Sequence, residues 1–477
     1  MKLVDALRQE DILTENGMAT NSSSLNACVD LFFNIGAMRG QDKQRLIATF
    51  SKAFNEDPKR AMKLLFWARD VRGGAGERQV FKDILVYLAE NHDLVLRPNL
   101  HLISEYGRWD DLLVLTGTYL EKEAFTLISD AIIAENGLCA KWMPRKGVVA
   151  EKLRKFTGMS PKQYRKSLVG LTSVVETKMC AKDWDSIEFG KLPSVASARY
   201  QKAFGKNAYE SYSAYIASLV KGEAKINAGA VYPYDVIKSL THGNAAVANE
   251  QWKALPNYME GANDMILPVV DVSGSMSSAA GNSKTVTCMD VAISLGLYIS
   301  ERNEGPFKDA FVTFSDNPKL QVVTGSLADR YSQMSTADWG MSTNLEATFK
   351  LILDQAIKHK LSQDEMPNKI LILSDMEFNS ATCSRGWGSN RNEGWNPTAQ
   401  QMIEKMYNDA GYKVPQIVYW NIQSRNGGVP VAFDKAGTAL VSGFSPAIMT
   451  SLLGGDIESP QQIMDKTILS ERYAPIV

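Results

Sequence analysis

Histidine and cysteine are scarce in this chain of 477 residues, with four of the first and five of the second. So few histidines disfavour an imidazole-built metal or catalytic centre. The cysteines (Cys28, Cys139, Cys180, Cys288, Cys383) are scattered, odd in number and never spaced C-x-x-C, which argues against a disulfide framework or a zinc site. They read as reduced core thiols. No apolar run approaches the roughly 18 residues of a membrane span, and the opening MKLVDALRQEDILTENG is broken by charge where a signal peptide would be apolar. The expectation is a soluble, cytoplasmic protein without membrane contact. Catalytic motifs are missing too: G-x-S-x-G, H-E-x-x-H, a Walker lysine loop and a Cys–His arrangement are all absent. A non-enzymatic role is expected.

What is present divides into two halves of different character. A composition 45% hydrophobic and 22% charged suits large cores in more than one domain. The net charge of −1 hides an asymmetry: residues 1–250 hold 34 Lys+Arg against 29 Asp+Glu, leaving 18 against 24 for the remainder. From Leu25 onward apolar residues recur at three- and four-residue spacing in ACVDLFFNIGAMR, DKQRLIATFSKAFNED, GERQVFKDILVYLAENH and further segments, separated by Gly, Pro or Asn. This predicts an array of stacked helices, each burying its face on the next, with no strict sequence repeat. Residues 1–24 read as a short helix and a polar joint. The joint Arg72-Gly-Gly-Ala-Gly-Glu-Arg78 lacks G-K-[ST] and follows a helix, so it reads as a tight helix–helix turn. Asp110 or Asp111 suits a helix N-terminus.

After residue 250 the period changes. MILPVVDVS, DAFVTFS, LQVVTG, NKILILSD and PQIVYWNI read as short strands, alternating with the amphipathic helices TVTCMDVAISLGLYISERN, TNLEATFKLILDQAIKHK and PTAQQMIEKMYNDAG. Alternation of this kind predicts a mainly parallel sheet covered on both faces, binding at the C-terminal ends of its strands. The domains are therefore a segment over 1–24, a helical domain over 25–255 and an α/β domain over 256–477. The helix from Pro460 is expected to pack back on the helical part.

Two stretches carry chemistry. At the end of the strand MILPVV stands Asp271-x-Ser273-x-Ser275, one carboxylate and two hydroxyls, oxygen donors that suit a hard divalent cation. A haloacid-dehalogenase phosphotransferase would need a second Asp where Ser273 stands. The other stretch, Lys141 to Lys166, holds nine basic side chains and only Glu151 against them. Lys141, Arg145, Lys146, Lys152, Arg154, Lys155, Lys162, Arg165 and Lys166, with Lys178 and Lys182 beyond, are long enough to reach phosphates, and Trp142 and Tyr164 could stack on bases. The same pattern also describes a solvated helical face with both aromatics in the core.

The blocks LFWARDVRGGAGER, EYGRWDDLL, AKWMPRKG, YRKSLVGL, VVETKMCAKDWDSIEFGKLPS and KGEAKINAGAVYPYDV resemble, in order, the TROVE module of Ro autoantigens and their bacterial and phage relatives. D-x-S-x-S after a strand resembles the metal-ion-dependent adhesion site (MIDAS) of von Willebrand factor A domains. Together the resemblance runs from about residue 30 to the C-terminus. It implies an α-helical, HEAT-like repeat domain shaped as a ring, joined to an α/β, Rossmann-like von Willebrand A domain. It also implies two further ligands: Thr343 in MSTNLE, with Ser342 as its rival, and Asp375 at the end of LILSD. The set Asp271, Ser273, Ser275, Thr343 and Asp375 would bind a divalent cation, Mg²⁺ or alternatively Mn²⁺ or Ca²⁺. Where many A domains read T-D-G, this chain has Ser374-Asp375-Met376-Glu377, which adds a carboxylate.

The function so implied is a non-catalytic, monomeric RNA-binding scaffold of a ribonucleoprotein. Small structured or misfolded RNA, or its single-stranded ends, would lie on the basic helical surface. The A domain would close the ring or dock a partner such as a nuclease. The alternative is a metal-dependent protein–protein interaction module without RNA. The loop FNSATCSRGWGSNRNEGWNPT offers Trp387 and Trp395 as partner or RNA contacts, or as packing against the sheet edge.

Overall fold

Apolar spacing of three and four becomes helices that pass their buried faces from one to the next. The computed structural model describes residues 12–242, 245–281, 283–313, 318–336, 343–380, 397–425 and 427–477. Helices α1 (Ala27–Ile35), α2 (Lys43–Glu56), α3 (Pro58–Arg69) and α4 (Arg78–Asn91) pack in sequence. The first three start on Asn26, Asp42 and Asp57, whose side chains each accept from an amide in the first turn. Pro58, at the first helical position, needs no hydrogen-bond partner for its nitrogen.

The glycine-rich joint is a turn between α3 and α4. A Cβ on Gly74 would lie 1.9 Å from the Trp67 carbonyl oxygen, so only glycine lets the chain fold back there. The turn delivers Glu77 into full burial, where Arg39 meets it with two hydrogen bonds of 2.9 and 2.8 Å. Beside it Arg69 donates to the buried Asp111 at 2.7 Å. The Arg108 backbone amide donates to the same carboxylate at 3.0 Å, opening the short helix Trp109–Leu115. Asp111 is thus the helix-opening residue.

Residues 12–20 are not helical. They form a hairpin in which β1 (Ile12–Leu13) pairs antiparallel with β2 (Ala19–Thr20), turning at Gly17 with φ +87°. The expected N-terminal helix falls mostly on residues 1–11, outside the described residues.

A six-stranded sheet follows, from β3 (Ile266–Val270), β4 (Ala310–Thr313), β5 (Leu320–Val322), β6 (Lys369–Ser374), β7 (Gln416–Asn421) and β8 (Thr438–Ser442). Its order is β5-β4-β3-β6-β7-β8, parallel except for the edge pair β4–β5. The chain winds outward from β3 to one edge and then from β6 to the other, so the winding reverses between β3 and β6, a topological switch point. Both strands are buried throughout, as their unbroken apolar runs require. Pairing of β3 with β4 starts only at Val269, one residue past Pro268, which has no N–H to give.

The two halves share one core. Helix α1 lies on β8: the Ser442 hydroxyl donates to the Phe32 carbonyl at 2.7 Å and accepts from the Gly36 amide at 3.1 Å. The helix Pro460–Ile468 and the turn after it reach α3, where Arg60 pairs with Asp465 at 2.8 Å. Asp70, buried at the end of α3, takes Arg472 through a hydrogen bond of 2.8 Å and the Tyr473 hydroxyl at 3.0 Å. A single apolar cluster therefore runs from α1 through the sheet. A second, smaller cluster around Phe189, Phe204, Tyr212 and Val247 forms a separate lobe of the helical part.

No helix among the described residues is long and apolar enough to cross a membrane. Cys28, Cys139 and Cys288 are buried free thiols, whereas Cys180 is exposed on a short helix end, contrary to the core reading. Cys383 lies outside the described residues.

Candidate functional site

Asp271 follows β3 and Asp375 follows β6, so the switch point brings both carboxylates to the same strand-end crevice. Both are buried, at 0% and 2% exposure. Each Asp271 oxygen has a donor: the Ser273 amide reaches Oδ1 at 2.9 Å and the Ser374 hydroxyl reaches Oδ2 at 2.5 Å. Past Asp271 the chain turns through the short helix Gly274–Ser277, pinned by the buried Met276, which sets the Ser273 and Ser275 hydroxyls 3.0 Å apart.

Asp375 is served less well. Its Oδ2 is buried without a hydrogen bond, and the Arg425 guanidinium stands off at 3.5 Å. Arg425 is committed elsewhere too, donating to the Ser275 carbonyl at 2.6 Å and the Ser278 hydroxyl at 3.1 Å. Burial pushes the Asp271 carboxyl up to about 7, and the Asp375 charge pushes the same way against the pull of the Ser374 and Ser273 donors. Burial raises Asp375 as well, opposed by the Ser275 hydroxyl and Arg425. Two buried carboxylates lie together while the Arg425 guanidinium stands 3.5 Å from Asp375, so the charge of an ionised pair is compensated only in part. That donor set, with its orphaned oxygen and adjacent hydroxyls, fits a hard divalent cation.

Met376 adopts φ +66°, the left-handed region that favours glycine, at the position where the T-D-G pattern has its glycine. Its amide donates to the Ser374 hydroxyl at 3.0 Å, which keeps that hydroxyl turned toward Asp271. Glu377 is buried and accepts the Glu15 amide at 2.6 Å, so its carboxylate faces the N-terminal hairpin.

Thr343 is buried just ahead of the helix Leu345–His359, and its carbonyl accepts the Asn379 amide at 3.1 Å. Among the described residues its hydroxyl makes no hydrogen bond to Asp271, Ser273, Ser275 or Asp375. Its rival Ser342 lies outside the described residues, as do Trp387 and Trp395. The structure thus joins four of the five expected ligands directly and sets Thr343 beside the chain that follows Asp375. Among the described residues no group of three or more His, Cys, Asp or Glu could hold a metal ion, and a cation at this crevice would meet two carboxylates and hydroxyls. Sequence reasoning missed Arg425 and Ser374. Arg425 had one available signal, a position shortly past the end of β7 on the same strand-end face.

The basic segment folds as Gly137–Trp142, Val148–Phe156 and Pro161–Leu171. Arg145, Lys146, Lys152, Lys155, Lys162, Arg165, Lys166 and Lys182 are exposed, while Lys141, Arg154 and Lys178 are half-buried. Lys152 pairs with Glu121 at 2.9 Å and Lys155 with Glu151 at 2.8 Å. Arg154 donates to the Met159 carbonyl at 3.0 Å and Lys178 to the Ser186 carbonyl at 2.5 Å. Among the described residues no carboxylate pairs with Lys146, Lys162, Arg165 or Lys166, leaving their charge to solvent. The expected base stacking is not met at Tyr164, which is 3% exposed and donates to the Pro144 carbonyl at 3.1 Å. Trp142 is half-buried beneath the Arg108 guanidinium, 3.8 Å from its ring centre. Lys141, Lys178 and Lys191 line a cleft of about 440 Å³ where the two helical cores meet.

A family model described as a domain of unknown function (DUF2828) matches residues 14–136 and 126–264. A second, also described as a domain of unknown function (DUF7788), matches residues 265–472. The curated relative "Uncharacterized protein L728" of Acanthamoeba polyphaga mimivirus is 30% identical over 511 aligned residues, covering 94% of this chain and 86% of the relative. The first model spans more than half of the sequence and the relative nearly all of it, so the chain belongs to the DUF2828 family, with the DUF7788 domain as its second half.

Proposed function

We propose that this protein is a non-catalytic RNA-binding scaffold of the Ro type, built from a ring of HEAT-like helical repeats and a von Willebrand A domain. The observation that carries the reading is the exposed basic surface over residues 145–166, where Lys146, Lys162, Arg165 and Lys166 have no carboxylate partner among the described residues. Phosphates are what such a surface holds best, and released counterions make the binding steeply salt-dependent. With Trp142 under Arg108 and Tyr164 in the core, recognition rests on phosphates and shape rather than on stacking by these two rings. Structured or misfolded RNA with single-stranded ends is the ligand, with cytoplasmic RNA handling as the setting.

Asp271, Ser273, Ser275, Thr343 and Asp375 would hold a divalent cation, Mg²⁺ first and Mn²⁺ or Ca²⁺ otherwise. A bound ion would supply a Lewis-acidic position for a carboxylate of a partner protein, such as a nuclease. The sheet order and the unsatisfied Asp375 oxygen support this part. The same oxygen favours a second reading, a metal-dependent protein-interaction module in which RNA has no role.

Filter binding of a hairpin RNA with a single-stranded tail, at about 50 and 200 mM salt, separates the two. Affinity should fall by a factor of about 10² or more between the two salts for five or more phosphate contacts. Reversing Lys146, Lys162, Arg165 and Lys166 to Glu should weaken binding and flatten the salt slope. Unchanged, salt-independent binding in that variant would sink the RNA reading and leave the interaction module.

A further inference from the structure

The N-terminal hairpin takes hydrogen-bond partners from the second half of the chain. It lies across the strand ends of the α/β half, on the chain that leaves Asp375. The Thr14 hydroxyl donates to the Phe378 carbonyl at 2.7 Å, the Glu15 amide to the Glu377 carboxylate at 2.6 Å, and the Asn16 side-chain amide to the Glu377 carbonyl at 2.5 Å. Ser380 returns a bond to the Asn16 carbonyl at 3.1 Å, and Gly17 bridges Asn379 in antiparallel register. Between this strap and the sheet only about 10 Å³ of space remains, lined by Thr14, Asp375, Glu377, Asn421 and Arg425. That is room for about one water-sized sphere.

The main-chain share of this hold, the Ser380–Asn16 bond and the Gly17–Asn379 bridge, is what any extended peptide reproduces, while three further bonds run through the Thr14, Asn16 and Glu377 side chains. Charge is the specific part: the Glu15 carboxylate stands 3.7 Å from Arg425, the cation that also flanks Asp375. The strap splits into an anchor and a tip. Met18, Ala19 and Thr20 are buried, and Asn21 exchanges two backbone hydrogen bonds with Val429. Ahead of them Leu13 is 59% exposed, and Glu15 and Asn16 are exposed too. Among the described residues the tip's own hairpin is closed by two strand pairs and by the turn bonds of Thr14 with Met18 and Gly17.

We propose that residues 12–17 are the resident occupant of a groove for extended peptides, and that a partner protein enters as an extended segment with a carboxylate in the place of Glu15. The groove borders the Asp271–Asp375 site, so the inference rests on reading that site as a partner-docking centre. It adds what the partner looks like and what must move first. The strap competes from within the same chain, at an effective concentration in the millimolar range, so a free peptide gains access only when the tip is loosened.

The test uses the full chain and its double variant Thr14→Ala/Asn16→Ala, which removes the bonds that the two side chains donate to the chain after Asp375, together with the bond the Thr14 hydroxyl accepts from the Met18 amide, and leaves the anchor over 19–21. A fluorescein-labelled peptide of residues 12–21 is titrated in EDTA by anisotropy, and backbone exchange of residues 14–18 is followed by hydrogen–deuterium mass spectrometry. The variant should exchange faster over 14–18 and bind the peptide about tenfold or more tighter than the unaltered chain. A peptide carrying Glu15→Lys should lose most of that gain. Equal binding to both proteins, no binding to the variant at about 1 mM, or unchanged exchange would overturn the proposal. Working in EDTA reads the groove alone. Mn²⁺ binding by the Asp271→Asn variant, followed by electron paramagnetic resonance, tests the ion site separately.

Discussion

At the scale of the residue, the decisive fact is a shortage of compensating charge around two buried carboxylates. The fold holds Asp271 above its ordinary value, so the protonated form is preferred inside the protein. For such a group the unfolded chain gives up its proton first, and the contribution to stability is fullest below about pH 4, declining as pH climbs toward 7 at up to about 1.4 kcal/mol per unit. In EDTA, the melting temperature of the unaltered protein relative to Asp271→Asn should therefore fall between pH 5 and 7.5. Mg²⁺ should restore it at the higher pH and do nothing for the variant, since an ion binds the deprotonated pair. Scanning fluorimetry at the two pH values, with and without Mg²⁺, reads this, and parallel curves for both proteins would refute it. Asp271, Ser273 and Ser275 were legible because they follow one another at a strand end. Arg425 was not, because a lone arginine after a distant strand meets Asp375 only through the register of β6 on β7. The strain at Met376 was equally hidden, since a methionine gives no hint of a left-handed backbone.

At the scale of the element, helix and strand periods did most of the work. All five apolar runs proposed as strands became strands; an unbroken apolar run flanked by turn residues buries both faces in β3, β4 and β6, whereas LQVVTG forms the exposed edge strand β5. Residues 12–20 escaped that logic: strands of two residues have no period to detect, and the residues that hold the tip between them lie some 360 positions along the chain. The contact of α1 with β8 escaped it as well. Gly36 has an ordinary backbone conformation, yet a Cβ there would lie 2.7 Å from the Ser442 carbonyl oxygen and 2.8 Å from the Gly443 Cα. Both are backbone atoms that cannot swing aside. Gly36→Ala should cost about 1–3 kcal/mol by prising α1 from the sheet, visible as a lower urea midpoint. A neutral result would mean that the helix and sheet are not in close contact at that point.

Across the whole molecule, a shared core makes the division into a helical and an α/β half a matter of sequence more than of stability. The family models meet at residues 264 and 265, whereas the apolar cluster runs through that boundary without a break. Urea unfolding followed by far-ultraviolet and near-ultraviolet circular dichroism should accordingly show one coincident transition for that shared core. Arg472→Met, which removes the guanidinium facing the buried Asp70, should move the transition down by about 2 kcal/mol without splitting it. Two separate transitions in either protein would count against a common core. The Asp70–Arg472 pair also carries a consequence in time. Its partners are 402 residues apart in the chain, and at roughly 5–20 residues per second a ribosome needs about 20–80 s to deliver the second after the first. For that interval α3 ends on a carboxylate prepared for burial with no guanidinium to meet it. The early helices therefore complete this contact only after the last part of the message has been read.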